Sequence, residues 1–188
     1  MLAVVLILAA QALFFFLPAF IADIFPVIFS RVDFFDRFKK PIDGGKKWHG
    51  KAIFGDHKTY FGFLVGVTGA VVMGALQFFL YDTVSGARWL FLFNYDFSTA
   101  IVLGFLLGFG ALLGDLMRSF FKRRLGIASG GVFFPFDLLD FVAGGLLLGS
   151  FVYLPSLSHI LAFVLLTTLL KSCNNFLGYK LGLKKSWW

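Results

Sequence analysis

The chain has 188 residues, 59% of them hydrophobic, with a mean hydropathy of +0.87 and a formal net charge of +7. That balance excludes an ordinary soluble domain and points to one integral membrane unit spanning residues 1–188. A single cysteine, Cys173, excludes an intrachain disulfide and argues against a cysteine-based metal site.

A spanning helix needs roughly 20 apolar residues. The first run that qualifies is Leu2–Ala22. It has no basic leader and is too long for the apolar stretch of a signal peptide, so it reads as a retained helix. Pro18 inside it, and Pro26 just beyond, predict a kink or break toward its far end. Asp23 lies between them, close to membrane depth, and is either a cap or ion-pair partner or a functional group.

Four more apolar runs follow: Tyr60–Tyr81, Phe97–Met117, Phe133–Leu154 and the shorter Leu157–Leu170. Charge alternates between them. Arg31–Lys58 holds eight Lys and Arg, the 82–96 loop only Arg88, residues 118–131 four, the Pro155–Ser156 turn none, and Lys171–Trp188 four. Sixteen of seventeen basic residues therefore fall on one side, which the positive-inside rule makes cytoplasmic. The expected fold is an all-α, multi-pass cell-membrane protein of five transmembrane helices. Its N-terminus is outside and its C-terminus inside. Two cytoplasmic loops, about 31–58 and 118–131, cap a polar active site. The charge follows the topology, so no nucleic-acid partner is inferred.

The first loop contains PIDGGKKWHGKAIFGDHKTYFG, Pro41 to Gly62. Glycines bring backbone N–H groups close to an anion, and Lys58-Thr59 stands at the start of a helix, where phosphate is favoured. Basic loops also bind anionic headgroups, but glycines interleaved with lysines and with Asp43 and Asp56 fit nucleotide phosphate better. His49 and His57 lack further soft ligands nearby, and His159 at the outer end of the last run reads as structural.

The second loop carries the chemistry. GDLMRSFFKRRLGIASGGVFFPFDLLDF, Gly114 to Phe141, places Asp115 near the end of one apolar run and Asp137 and Asp140 in the opening of the next. Asp137 and Asp140 are three apart, hence on one helix face. An acid at a helix C-terminus is disfavoured by the macrodipole. Three converging carboxylates repel unless they share a cation, and oxygen-only donors select Mg²⁺ or Mn²⁺. The competing arrangement is an ion-pair cluster with Arg118, Lys122, Arg123 and Arg124.

These residues carry a resemblance. GDLMRSFFKRRLGI followed by PFDLLDF is similar to the signature of the CTP-dependent lipid cytidylyltransferases: GDL, then S-x-x-K-R, then two aspartates three apart. Bacterial and eukaryotic members add a Lys-Asp pair after the K-R and His-Gly-Gly before the aspartates. Here Ile127-Ala128-Ser129 and Phe133-Phe134-Pro135 stand in those places, a departure shared by the archaeal branch. The first loop resembles that branch too, with P-x-D-G-G-K and G-D-x-K-T-x-x-G. The chain thus resembles the archaeal CDP-archaeol synthase family over roughly residues 41–145.

The resemblance implies an enzyme that uses CTP, Mg²⁺ and an isoprenoid glycerol phosphate lipid to make CDP-archaeol. It implies Asp115 and Asp137 as metal ligands with Asp140 beside them, and Ser119, Lys122 and Arg123 on phosphate. Asp43, Gly44, Gly45, Lys46, Asp56, Lys58 and Thr59 would form the nucleotide site. The absent Lys-Asp pair leaves the number of metal ions open.

Two enzyme alternatives stand beside it. One is a phosphatidate cytidylyltransferase acting on acyl lipids. The other is a CDP-alcohol phosphotransferase, whose D-x₂-D-G-x₂-A-R motif fails here because Phe141-Val142 follows Asp140. A small transporter is the non-enzymatic alternative, and it should carry polar groups near the midplane rather than crowded at one face.

Overall fold

The computed structural model describes residues 2–29, 38–128 and 131–180. Arg31 to Arg37, Ser129 and the last basic residues, Lys184 and Lys185, lie outside the described residues. The elements are α1 (Leu2–Phe15), α2 (Leu17–Phe29), a hairpin of β1 (Lys47–Trp48) and β2 (Lys51–Ala52), α3 (Tyr60–Thr83), a 3-10 helix at Ser85–Leu90, α4 (Phe97–Arg124), α5 (Phe136–Gly149) and α6 (Leu157–Lys180).

The protein is an α-helical membrane protein. α3 and α4 are each long and apolar enough to cross a bilayer, and α1 with α2 passes as one span bent by 53°. The break falls at Phe16, well before the end of the expected Leu2–Ala22 run, and Pro26 stays inside α2. α5 has fourteen residues, about 21 Å at 1.5 Å per residue and shorter than a hydrocarbon core of about 30 Å. The apolar part of α6 is Leu157–Leu170.

α4 is the axis of the fold, and small residues let its neighbours approach. On one face Gly104 and Gly108 meet α3 at Ala70 and Gly74; a Cβ at Gly104 would lie 2.8 Å from the Ala70 carbonyl. On another, Gly110 and Gly114 lie against Gly144 and the Asp140 carbonyl of α5, where a Cβ would overlap backbone. The main core lies around Phe16, Leu103, Leu107, Phe141 and Phe163. Phe16 and Phe163 stack at 3.4 Å between ring centroids.

At the other end Asp96 caps α4 by accepting the Thr99 N–H at 2.9 Å. Bonds from the Ser98 and Thr99 hydroxyls and the Thr99 N–H hold its carboxyl at about 2. His159 ties α6 to α1, with Nε2 3.1 Å from Gln11 Oε1 and Nδ1 2.6 Å from the Ser156 hydroxyl, the structural part expected of it.

Candidate active site

The first loop is closed at its base. Ile42 N–H donates to Lys58 O at 2.7 Å and Tyr60 N–H to Lys40 O at 3.0 Å, with a bridge between Pro41 and Thr59. Inside the closed loop lies Asp43, 7% exposed. One carboxylate oxygen accepts the Gly45 N–H at 2.9 Å, and the other those of Phe54 and Gly55 at 2.9 and 3.0 Å. Burial pushes this carboxyl up, but the N–H groups of Gly55, Phe54 and Gly45 outweigh it and hold it below 3.8. The anion that these glycine-rich N–H groups receive is the chain's own Asp43, which therefore builds the loop. Gly44 and Gly45 sit at φ of 57° and 73° and turn the chain around it.

The two-residue turn His49-Gly50, both at positive φ, makes the hairpin that sequence reading missed. Arg124 pins that hairpin to α4. Its guanidinium donates to the carbonyls of Trp48, at 2.6 Å, Lys51 and Ala52, while Lys51 Nζ donates back to Arg124 O at 3.0 Å. Trp48 stacks on Phe120 at 5.5 Å, with the Arg124 guanidinium over both rings.

Thr59 caps α3 by accepting the Gly62 N–H at 3.1 Å. Lys58 points across to α4 and is bound to Asp115. Lys46 and Asp56 are exposed on the loop. Arg123 donates to Ile127 O at 2.5 Å, closing the end of α4.

α4 runs on to Arg124, so the basic residues assigned to a loop from Arg118 onward are helical, and the second loop begins later. Asp115 therefore sits more than two turns inside the helix, and the dipole argument against it does not apply. Asp137 lies in the first turn of α5, after Pro135, with Asp140 one turn on.

The three carboxylates do converge. Arg118 reaches all of them. Its Nη2 is bound to Asp115, its Nη1 lies 2.8 Å from Asp137, and its Nε lies 2.9 Å from Asp140, an ion pair off the N–H axis. Lys122 Nζ meets both Asp137 oxygens at 2.9 and 3.2 Å, and the Phe133 N–H donates to Asp137 Oδ2 at 2.6 Å. Ser119 and Lys122 are buried on α4 beside them. Arg118 was read from the sequence only as a competing partner; its spacing of three from Asp115 was the signal that it belongs to the site.

Among the described residues no three His, Cys, Asp or Glu side chains are disposed to hold a metal ion; the guanidinium takes that central place. The side chains around that guanidinium offer carboxylate oxygen alone, the donor type that a hard cation takes.

Two concavities meet at this cluster from different faces of α4. One, of about 330 Å³, lies between α2, α3 and α4 and is lined by Asp23, His57, Lys58, Thr59 and Asp115. The other, of about 340 Å³, is an apolar groove between α4 and α5. Met117, Phe121, Phe136, Leu147 and Leu148 wall it, and Arg118 and Asp140 stand at its polar end. Asp115 and Arg118, bound to each other, form the joint. A cavity with charged residues in its wall and an apolar groove thus share one charged wall.

Comparison with known proteins gives the family. The family model for CarS-like CDP-archaeol synthase matches residues 3–188. CDP-archaeol synthase of Methanospirillum hungatei is 43% identical over 79% of this chain and 89% of its own length. That of Thermococcus gammatolerans is 37% identical over 94% and 95%. A solved structure of an intramembrane enzyme for archaeal membrane lipid biosynthesis superposes with a TM-score of 0.71 at 28% identity, over 87% of this chain and 92% of that one. The chain belongs to the CDP-archaeol synthase family, and is an enzyme of the cytidylyltransferase class.

Proposed function

We propose that this protein transfers CMP from CTP to the phosphate of an isoprenoid glycerol lipid, bis-O-geranylgeranyl glycerol phosphate, giving CDP-archaeol and pyrophosphate. The observation that carries this reading is the Asp115–Arg118 joint between the polar cavity and the apolar groove. CTP occupies the polar cavity beside Lys58, and the lipid approaches along the groove between α4 and α5.

A phosphate monoester is mostly dianionic at pH 7, because its second pKa is about 6. It needs no general base. One of its oxygens forms a bond to the α-phosphorus of CTP, the α–β phosphoanhydride bond breaks, and the electron pair leaves with pyrophosphate. The barrier is the meeting of two anions. Lys58, Arg118, Lys122 and Arg123 offset it by holding positive charge where the phosphates converge. Asp115 and Asp137 orient these cations in turn. Asp115, Asp137 and Asp140 are the residues that would hold Mg²⁺, which when bound supplies charge neutralisation at the phosphates. No covalent intermediate on Ser, Cys or His is required.

The topology that serves this chemistry has five crossings, with the N-terminus outside and the site on the cytoplasmic side. The test is an assay of purified protein in detergent with CTP and either the isoprenoid ether or a diacyl glycerol phosphate, with and without Mg²⁺. The ether lipid should be consumed only with the cation. Equal or faster use of the diacyl lipid would reassign the acceptor, and unchanged rates in EDTA would remove the cation.

A further inference from the structure

Proline at position 18 has no N–H, so it cannot serve the carbonyl four residues back, that of Phe14, as an uninterrupted helix would. The structure shows what does. Gln77, from the last third of α3, donates its side-chain Nε2–H to Phe14 O at 2.6 Å. Gln77 is 1% exposed, and its Oε1 meets no donor among the described residues. The amide is thus held in place by the one bond it gives. The flipped amide would set two acceptors against each other. A buried amide with half its capacity unused is costly, so that bond has to matter where it stands.

The second proline repeats the pattern. Pro26 leaves the Ala22 carbonyl without its helical donor, and that carbonyl faces Gly66 of α3, where a Cβ would come within 2.6 Å of it. α3 therefore meets both proline-freed carbonyls, one with a hydrogen bond and one with bare backbone. Between them lies the 53° bend of α1 on α2. Beyond the bend α2 carries Asp23 and Pro26 into the wall of the polar cavity, facing Lys58, Thr59 and Asp115.

We infer that Gln77 is a positioning residue of the reaction. By replacing the N–H that Pro18 lacks, it fixes the bend that aims α2 at the nucleotide cavity. It touches no substrate and acts through α2. The role rests on the proposed place of CTP only for its kinetic readout; the bend itself can be measured without any nucleotide.

The test uses full-length protein in detergent with three variants. Gln77→Met removes the donor at nearly constant volume. Pro18→Ala returns an N–H to Phe14 O. The third variant combines both. Gln77→Met should raise the KM for CTP by about tenfold, as expected for a freed buried carbonyl, leave the lipid KM within about twofold by the same argument, and lower Tm. The double variant has the carbonyl served by its own backbone. It should regain the lost Tm yet keep the raised KM, because the bend is no longer enforced.

Paired spin labels at Leu6→Cys and Ile24→Cys in a Cys173→Ser background report the bend directly. Eighteen residues of straight helix span about 27 Å, and a bend of this size shortens that by about 3 Å. The double variant should lengthen the separation accordingly. Recovery of Tm and KM together would make Gln77 a merely stabilising residue, and an unchanged label separation would overturn the inference outright. If Gln77→Met fails to fold, the double variant and Pro18→Ala still decide the matter. If the unaltered protein turns over no CTP, the labels still test the bend while the functional reading fails separately.

Discussion

Replacing Lys58 by alanine removes the cation that reaches from the first loop to Asp115. Both side chains are largely shielded, at 26% and 11% exposed. A charge-assisted hydrogen bond in such a place contributes about 1.5–3 kcal/mol. At about 1.4 kcal/mol per factor of ten, Lys58→Ala should lower kcat/KM for CTP by about 10- to 100-fold. The lipid KM should change much less, because the groove between α4 and α5 does not include Lys58. The assay is initial rate against CTP at saturating lipid, then against lipid at saturating CTP. Lys40→Ala is the control: its side chain is exposed, and the loop is held through its backbone N–H and carbonyl, which alanine keeps. The double variant Lys58→Ala with Asp115→Asn should lose less than the sum of the two single losses, since both remove one interaction. Loss of lipid dependence with CTP use intact, shared by Lys40→Ala, would show a headgroup-binding loop and refute the reasoning.

Further outcomes follow from the same geometry. Asp115→Asn and Asp137→Asn should each lower turnover by about 100-fold or more, with some loss of Tm, because each leaves buried cations short of a carboxylate; near-normal rates for Asp115→Asn would remove it from the site. Gly114→Ala drives a Cβ into the Asp140 carbonyl, should cost about 1–3 kcal/mol of stability, and should lower kcat by displacing Asp140, as thermal and kinetic assays of one preparation can check. Asp43 has its carboxyl held below 3.8, so its contribution to loop stability is present above about pH 4 and is lost as pH falls through the lowered value. Limited proteolysis of the loop should therefore stay slow down to that range, whereas Asp43→Asn should open it at neutral pH. Cys173, exposed on α6, should resist an impermeant maleimide in right-side-out vesicles until the membrane is opened.

Long apolar runs made much of the fold legible. Tyr60–Tyr81 and Phe97–Met117 start where α3 and α4 start, because Thr59 and Asp96 are caps that the sequence displays. The end of α4 was hidden. Hydropathy stops at Met117, but the helix continues because Arg118 and Lys122 find acids to pair with, a tertiary effect that no local pattern carries. The bend before α2 was foreseen from its prolines; its partner Gln77 was not, since a lone glutamine in an apolar run names no contact. The three aspartates were legible as a converging set. That Arg118 stands among them, and that Asp43 is consumed by its own loop, depends on side-chain directions that only the folded chain sets.

The most direct measurement follows the label. CTP labelled at its α-phosphorus, given to purified protein with isoprenoid glycerol phosphate and Mg²⁺, should pass its label into the lipid. CTP labelled at the γ-phosphorus should release it as pyrophosphate in equal amount. Label from the γ-position in the lipid, or no lipid label from a folded, substrate-saturated preparation, would contradict cytidylyl transfer at the Asp115–Arg118 joint.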